Sequence, residues 1–201
     1  KAAMKIGELI MLATNLQPFL MGIAVSVLVG IALTLPISSA AICAAFGLTG
    51  LAGGAAVAGC CAQMVGFAVM SFKENRWGGL VSQGIGTSML QMGNIIKNPR
   101  IWIAPIITSA ITGPLATCIF KLNMNGTAVS SGMGTCGLVG QIGVYSGWVN
   151  DIANGTKAAI TGFDWTGMIL ISFILPAVLC PLINMLLKKI GWVKDGDMKL
   201  S

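Results

Sequence analysis

The chain has 201 residues, of which 55% are hydrophobic and 9% are charged, and its net charge at pH 7 is +6. Soluble domains carry roughly 25% charged residues, so this composition and the mean hydropathy of +0.86 exclude the soluble class. In a soluble protein the positive charge would favour nucleic-acid binding, but here basic residues cluster at the ends of apolar runs as membrane topology signals, and we expect no nucleic-acid partner.

The apolar runs predict an all-α integral membrane protein, a polytopic helical bundle that forms a single membrane domain over residues 1–201. The chain opens KAAMKIGELI without an initiator Met, so we expect it to be part of a longer domain. The first predicted span covers about 18–36, which suits one helical crossing of roughly 30 Å, and a proline marks each end.

The next apolar run, 41–72, is too long for one crossing, because a single helix of this length would reach about 48 Å. The glycine-rich sequence GLTGLAGGAA in its middle predicts a break. We therefore expect a re-entrant or half-helical segment over about 38–54, followed by a span over about 55–72.

The segment 80–97 is too polar for a lipid-facing span, and its pattern predicts an amphipathic or re-entrant helix. The following span is predicted over about 101–120, where Asn98 can cap the helix and Pro99 fits its first turn. The last span is predicted over about 168–190. Prolines inside both spans predict kinks, which membrane helices tolerate when neighbouring groups satisfy the freed carbonyls.

A glycine-rich stretch, SSGMGTCGLVGQIG, occupies Ser130–Gly143. Glycine this dense forms helices poorly, and irregular backbone is tolerated at membrane depth only where it is buried in protein or lines a cavity. We therefore expect a re-entrant hairpin with kinked helices around it, over about 130–149.

The distribution of basic residues favours one topology, with a cytoplasmic N-terminus, a first span that runs outward and glycine-rich segments that enter and leave by one face. In that arrangement only Lys121 and Lys157 lie outside. The residues predicted inside are Lys1, Lys5, Lys73, Arg76, Lys97, Arg100, Lys188, Lys189, Lys194 and Lys199.

Broken helices present backbone N–H and C=O groups to a substrate, and such groups commonly build binding sites at the bilayer midplane. The glycine-rich stretch is therefore a candidate substrate site, with Thr135 and Gln141 as side-chain partners and Gly134 and Gly140 supplying backbone. The same small residues also favour close helix packing through GxxxG pairs. Both interpretations stand, and they are compatible.

Several chemistries are excluded by the residue inventory. The chain has no histidine, no CxxC pair, no Walker A motif and no GxSxG, so we expect no cofactor, no metal and no catalytic residue. None of the carboxylates lies in the centre of a predicted span, which argues against a buried proton relay. Neutral hydroxyl and amide groups remain, and they suit either an uncharged polyol such as a sugar or helix–helix hydrogen bonding.

Two stretches, NPRIWIAPIITSAITGPLATCIF and GMGTCGLVGQIG, carry a resemblance to a known family, and PISSAAICAAFGLTGLAGGAA is in the same style. The chain resembles enzyme IIC, the membrane component of the bacterial phosphotransferase system, in the branch that includes perfringolysin regulator-like proteins. The resemblance covers about 17–192 and looks like the C-terminal part of a longer family domain.

The resemblance implies a multi-pass, homodimeric transporter in the bacterial cytoplasmic (inner) membrane. In such a transporter the sugar binds at midplane and is phosphorylated by a cytosolic enzyme IIB, itself supplied by enzyme IIA. Better-known members place a histidine and a glutamate near the sugar, and this chain has no histidine. Those two roles are therefore not carried over.

The predicted function is a sugar permease of a phosphoenolpyruvate-dependent phosphotransferase system. Whether the chain counts as an enzyme stays open, because it shows no phospho-acceptor residue of its own. The alternatives are a membrane sensor or regulator on the same fold, and a secondary transporter of a small neutral solute. We expect Asn98 and Arg100 to join Thr135 and Gln141 in binding substrate, although Arg100 also suits a plain interfacial anchor.

Overall fold

The computed structural model describes residues 17–200. This part of the chain is helical and contains no β-strand. The α-helices are α1 (Pro18–Thr34), α2 (Ser39–Ala45), α3 (Gly50–Met70), α4 (Phe72–Val81), α5 (Met92–Lys97), α6 (Ile103–Pro114), α7 (Ala128–Ser131), α8 (Val139–Ala153), α9 (Gly162–Ile169) and α10 (Leu175–Lys189). Short 3₁₀ turns cover Ser88–Gln91, Pro99–Trp102 and Cys136–Leu138, and π turns cover Ser82–Gly86, Leu115–Ile119 and Leu170–Ile174.

The central helix is α3, which packs against α1, α6 and α10 and is almost entirely buried within the protein. Its side chains are small enough for neighbouring backbones to approach closely. A Cβ at Gly54 would overlap the carbonyl oxygen of Leu122, and one at Gly59 would overlap that of Ser26. The glycines of this helix therefore serve packing, as the small-residue interfaces of membrane helices do.

The central helix begins earlier than the sequence indicated, at Gly50 instead of about 55, while the break in the run 41–72 lies within GLTGLAGGAA. The break falls at Gly47 and Gly50, which have positive φ angles of 60° and 62°, and α3 then runs unbroken through Gly53 and Gly54. Only the first two of these glycines use the conformational freedom of the residue, while the other two use its lack of a side chain.

Three helical stretches are long and apolar enough to cross a membrane: Gly50–Met70, Pro99–Ile119 and Gly162–Lys189. The sequence indicated 55–72, 101–120 and 168–190. The last stretch begins earlier because Thr161 and Asp164 form a capping box, in which each side chain accepts a backbone N–H of the other residue.

The π turn Leu170–Ile174 has a local cause. The N–H of Leu175 donates to the carbonyl of Leu170, five residues back, and Pro176 brings no N–H to continue the regular ladder. Ser172 therefore sits in a widened turn inside a helix of membrane length.

Basic residues distinguish the two ends of the bundle, which we call the inner end and the outer end. The inner end carries Lys73, Arg100 and Lys188, and the outer end carries Lys121 and Lys157. The direction expected for the first span is wrong. The hydroxyl of Thr117 donates to the Pro18 carbonyl at 2.8 Å, which places the start of α1 at the outer end, where α3 also begins.

Helix α1 therefore runs parallel to α3 and antiparallel to α6, against which Gly22 and Gly113 pack backbone to backbone. It ends at Thr34, and the chain returns through α2 to the outer end, where Gly50 pairs with Met124. The charge count did not determine this direction because 18–34 carries no charge, and Lys1 and Lys5 lie outside the described residues.

Candidate functional site

A hairpin of chain, residues 126–153, enters the bundle from the outer end and leaves by the same end; we call it the outer hairpin. Its two arms touch through glycines. A Cβ at Gly126 would overlap the carbonyl oxygen of Gly143, and one at Gly147 would lie 2.6 Å from the backbone nitrogen of Asn125. The dense glycines of the sequence thus let a descending loop lie directly against α8.

The tip of the outer hairpin is formed by Gly134, Thr135 and the turn that follows. Gly134, Gly137 and Leu138 have φ angles of 55°, 53° and 58°, so the backbone there is left-handed. Gly134 also packs on Cys60 of α3, where a Cβ would lie 2.6 Å from the cysteine side chain. The tip is therefore seated at the middle of the central helix.

A second hairpin, residues 72–98, enters from the inner end; we call it the inner hairpin. This hairpin is held in place by hydrogen bonds of its side chains, and not by close contacts between backbones. The Gln83 amide donates to the Ser71 hydroxyl at 2.9 Å, and the hydroxyls of Ser88 and Thr34 lie 2.9 Å apart. The tip of the inner hairpin, with Gly84 and Ser88, therefore meets the end of α1.

The two tips meet each other. The Thr135 hydroxyl donates to the carbonyl oxygen of Gly84 at 2.5 Å, and both groups lie against the inner half of α3. We call the meeting of these tips the junction. Two hairpins from opposite ends that touch at mid-depth present irregular backbone to each other, which is the usual construction of a midplane binding site.

A buried polar cluster lies on the outer side of the junction. The Gln141 amide donates to the Cys61 thiol at 3.2 Å, and Ser172 lies beside the same thiol. Two oxygens in this cluster, Gln141 Oε1 and Ser172 Oγ, are buried and have no hydrogen-bond partner of ordinary strength among residues 17–200, because the Cys61 thiol beside Ser172 is only a weak donor and acceptor. Such groups are uncommon, because each costs about 1–3 kcal/mol when left unpaired.

A neighbouring polar group, Gln63, is fully satisfied. Its Oε1 accepts from the Trp102 indole at 2.8 Å and from Thr34 at 3.3 Å, and its amide reaches Ser109 at 3.5 Å. Gln63 thus ties α1, α3 and α6 together as a structural element. The unpaired oxygens are confined, in this neighbourhood, to Gln141 and Ser172.

Two cavities open at the outer end of the bundle. One, of about 420 Å³, lies in the mouth of the outer hairpin and includes Asn125, Ser130 and Ser146 in its wall. The other, of about 360 Å³, also touches Asn125 and adds Asp151 and Lys157. Together they form a vestibule, lined by both polar and apolar groups, on the side from which the outer hairpin descends.

The predicted site residues fall into two groups. Gly134, Thr135, Gly140 and Gln141 all belong to the outer hairpin near the junction, and a Cβ at Gly140 would overlap the Gly134 carbonyl. The structure brings these four together.

Asn98 and Arg100 are at the inner end, apart from the other four. The Asn98 amide donates to the Asp197 carboxylate at 2.7 Å and to the Trp192 carbonyl at 3.1 Å, while its side-chain oxygen accepts the Arg100 N–H and caps the turn Pro99–Trp102. The Arg100 guanidinium lies over the Trp192 ring, 5.4 Å from its centroid. These contacts describe an interfacial anchor, and a role in substrate binding stays a prediction.

The sequence interpretation missed Ser172 and the Gly84 carbonyl. Ser172 had a signal, because it is the one hydroxyl in the apolar run GMILISFILPAVLC, and polar groups inside spans are commonly functional. The Gly84 carbonyl had none, because only the fold brings residue 84 to Thr135.

Comparison with known proteins gives one match. The family model described as "Phosphotransferase system, EIIC" matches residues 1–200. No curated protein and no solved structure matches the chain.

Proposed function

The chain belongs to the phosphotransferase system EIIC family, and on that premise we propose that it is a sugar permease whose sugar binds beside the junction. The family places it in a membrane as a component of the phosphotransferase system. The sugar would pass to a cytosolic enzyme IIB for phosphorylation, and the permease would be a multi-pass homodimer of the bacterial inner membrane. In the bilayer the two hairpins would be re-entrant.

One observation carries this proposal: the unpaired oxygens of Gln141 and Ser172. A sugar hydroxyl is both a donor and an acceptor, so it can donate to Gln141 Oε1 and exchange a hydrogen bond with Ser172 Oγ. Binding would thereby recover the cost of two buried unpaired groups. Neutral partners suit an uncharged sugar, because no ionised group has to be desolvated at this depth.

The geometry also supports a route for the sugar from the outer end to the inner end. The sugar would enter from the vestibule at the outer end and move along the outer hairpin to the cluster of Gln141 and Ser172. Passage to the inner end requires the Thr135–Gly84 hydrogen bond to open. The phosphoryl group would come from the partner enzyme, and this chain would bind and orient the sugar.

The test is sugar uptake into vesicles that hold the full-length protein, with and without a phosphoenolpyruvate-driven phosphotransfer mixture. We expect Ser172→Ala to reduce phosphorylated sugar inside the vesicles at least tenfold. Its Tm should stay the same or rise, because the substitution removes an unpaired buried hydroxyl. Gln141→Leu should reduce uptake in the same way.

Thr166→Val is the matched control, because within residues 17–200 its hydroxyl bonds only to the Gly162 carbonyl in its own exposed helical turn. Normal uptake by both site variants would contradict the proposed site. Sugar binding without uptake would favour a sensor or regulator on the same fold. Uptake driven by an ion gradient alone would favour a secondary transporter, although no carboxylate adjoins the junction in the described part of the chain.

A further inference from the structure

A cavity of about 470 Å³ lies at the inner end, between the end of α3, α4 and α10. Most of its wall is apolar, including Phe72, Leu80 and Pro181. Lys73, Lys188 and Asp195 form its charged rim, which carries a net charge of +1. A cavity that is apolar inside and cationic at its edge matches a ligand with a hydrocarbon part and an anionic head.

An apolar groove of about 230 Å³ continues from this cavity toward mid-depth. The cavity and the groove share Val69 and Leu80, and the groove ends at Gly84 and Phe173. Its surface is almost wholly apolar, so a sugar or a free phosphate has nothing to bind there. A hydrocarbon chain fits, because each CH₂ group that it buries in the groove favours binding.

The polar end of the cavity is incompletely paired. Asn184 is 4% exposed and forms part of the cavity wall, and its Oδ1 has no hydrogen-bond partner among residues 17–200. Lys188 is paired with the exposed carboxylate of Asp195, whereas Lys73 has no ion pair within the described residues. The site therefore offers a cation to a phosphate and an acceptor to a hydroxyl.

We propose that this cavity and groove bind one anionic phospholipid with a hydroxylated headgroup. The phosphate lies between Lys73 and Lys188, a headgroup hydroxyl donates to Asn184 Oδ1, and one acyl chain follows the groove past Val69 and Leu80. Charge complementarity selects an anionic lipid over a zwitterionic one, since lysines at a membrane surface are attracted to anionic lipids.

The site also touches the transport path. The groove includes Gly84, whose carbonyl accepts the Thr135 hydrogen bond at the junction. An acyl chain in the groove supports the inner hairpin from behind. The lipid therefore stabilises the closed junction, and its loss favours opening toward the inner end.

The experiment uses the full-length protein in detergent, with lipid binding measured by native mass spectrometry and Tm measured in parallel. Phosphatidylglycerol should be retained and should raise the Tm, whereas phosphatidylcholine should do neither. The double variant Lys73→Gln/Lys188→Gln should bind phosphatidylglycerol more weakly by about tenfold or more. The matched control is Lys189→Gln/Lys194→Gln, which removes the same charge at the same end without touching the cavity.

Ala68→Phe fills the groove and should weaken lipid binding while the lysines stay in place. Equal binding of phosphatidylcholine, or equal loss in both double variants, would overturn the proposal. Competition by glycerol 3-phosphate as strong as that of the lipid would also overturn it, because it would identify a site for a free phosphate ester. These measurements report binding alone, so they stand whether or not sugar is transported.

Discussion

The two hairpins that meet at the junction are held in place by different interactions. In the outer hairpin, glycines press backbone on backbone, as Gly126 does on Gly143 and Gly147 does on Asn125. In the inner hairpin, Gly86 and Gly93 face open space, and a Cβ at either position would have no atom within 4 Å. Glycine in the outer hairpin is a steric requirement, and at these inner positions it is not.

The inner hairpin is held instead by polar side chains that bind the segment 192–200. The Glu74 carboxylate accepts the N–H groups of Gly196 and Met198 at 2.9 Å each, and the Asn75 amide donates to the Met198 carbonyl at 2.8 Å. Gln91 donates to the same carbonyl at 3.0 Å. The segment is thus fixed to the hairpin through its backbone.

This difference indicates which hairpin can move. Close packing of backbone on backbone is not replaced by equivalent contacts with water when a hairpin moves, so the outer hairpin has to stay in place. Hydrogen bonds that reach water as the hairpin moves can be exchanged for bonds to water at a net cost of about 1 kcal/mol each. We therefore infer that the junction opens by movement of the inner hairpin, against a fixed outer one.

The largest change in the free energy of unfolding is expected when a methyl group is added to each hairpin by a Gly→Ala substitution. Gly143→Ala would overlap the Ser130 side chain and should lower the free energy of unfolding by about 2–3 kcal/mol, as overpacking does. Gly93→Ala, in α5, meets no atom and should raise it by about 0.5–1 kcal/mol, because alanine favours helix. Thermal unfolding of both variants measures the contrast, and equal shifts would end the distinction between the hairpins.

The second prediction removes the carboxylate that holds segment 192–200. Glu74→Ala should lower the free energy of unfolding by about 2 kcal/mol, since two backbone N–H groups lose a charged acceptor at a half-buried site. Proteolysis within 192–200 should become faster, while the outer hairpin stays protected. Lys199→Ala, which changes the segment but keeps its backbone bonds, is the control, and faster cleavage there too would contradict the role of Glu74.

The interactions that hold the outer hairpin could largely be expected from the sequence, whereas those that hold the inner hairpin could not. The glycine density of Ser130–Gly143 predicts both irregular backbone and close packing, and the structure shows both. The partners of Glu74 and Asn75 lie more than 100 residues away, and they bind through backbone groups that carry no sequence signal. The direction of α1 was missed because 18–34 is uncharged.

The third prediction concerns the bond between the two tips. Thr135→Val keeps the shape of the side chain but leaves the Gly84 carbonyl without its donor, which should cost about 1 kcal/mol. Amide hydrogen exchange should increase over 82–88 and stay unchanged in α8, if the inner hairpin is the moving part. Thr135→Ser retains the hydroxyl and should exchange like the parent, so an increase confined to α8 would reverse the assignment.

The smallest expected effect is the pH dependence of an exposed pair beside the inner hairpin. The hydrogen bond from Lys188, and then its charge, lower the pKa of Asp195 below its ordinary value. A lowered pKa in the folded state stabilises the protein above the ordinary pKa of an aspartate, and this contribution is lost as the pH falls through the lowered value. The Tm of the parent should therefore slightly exceed that of Asp195→Asn at pH 7, and the gap should close below about pH 4. A gap that widens in acid would mean that the carboxylate stabilises the fold in its protonated form, so that the inner end, too, would be held by contacts that do not depend on charge.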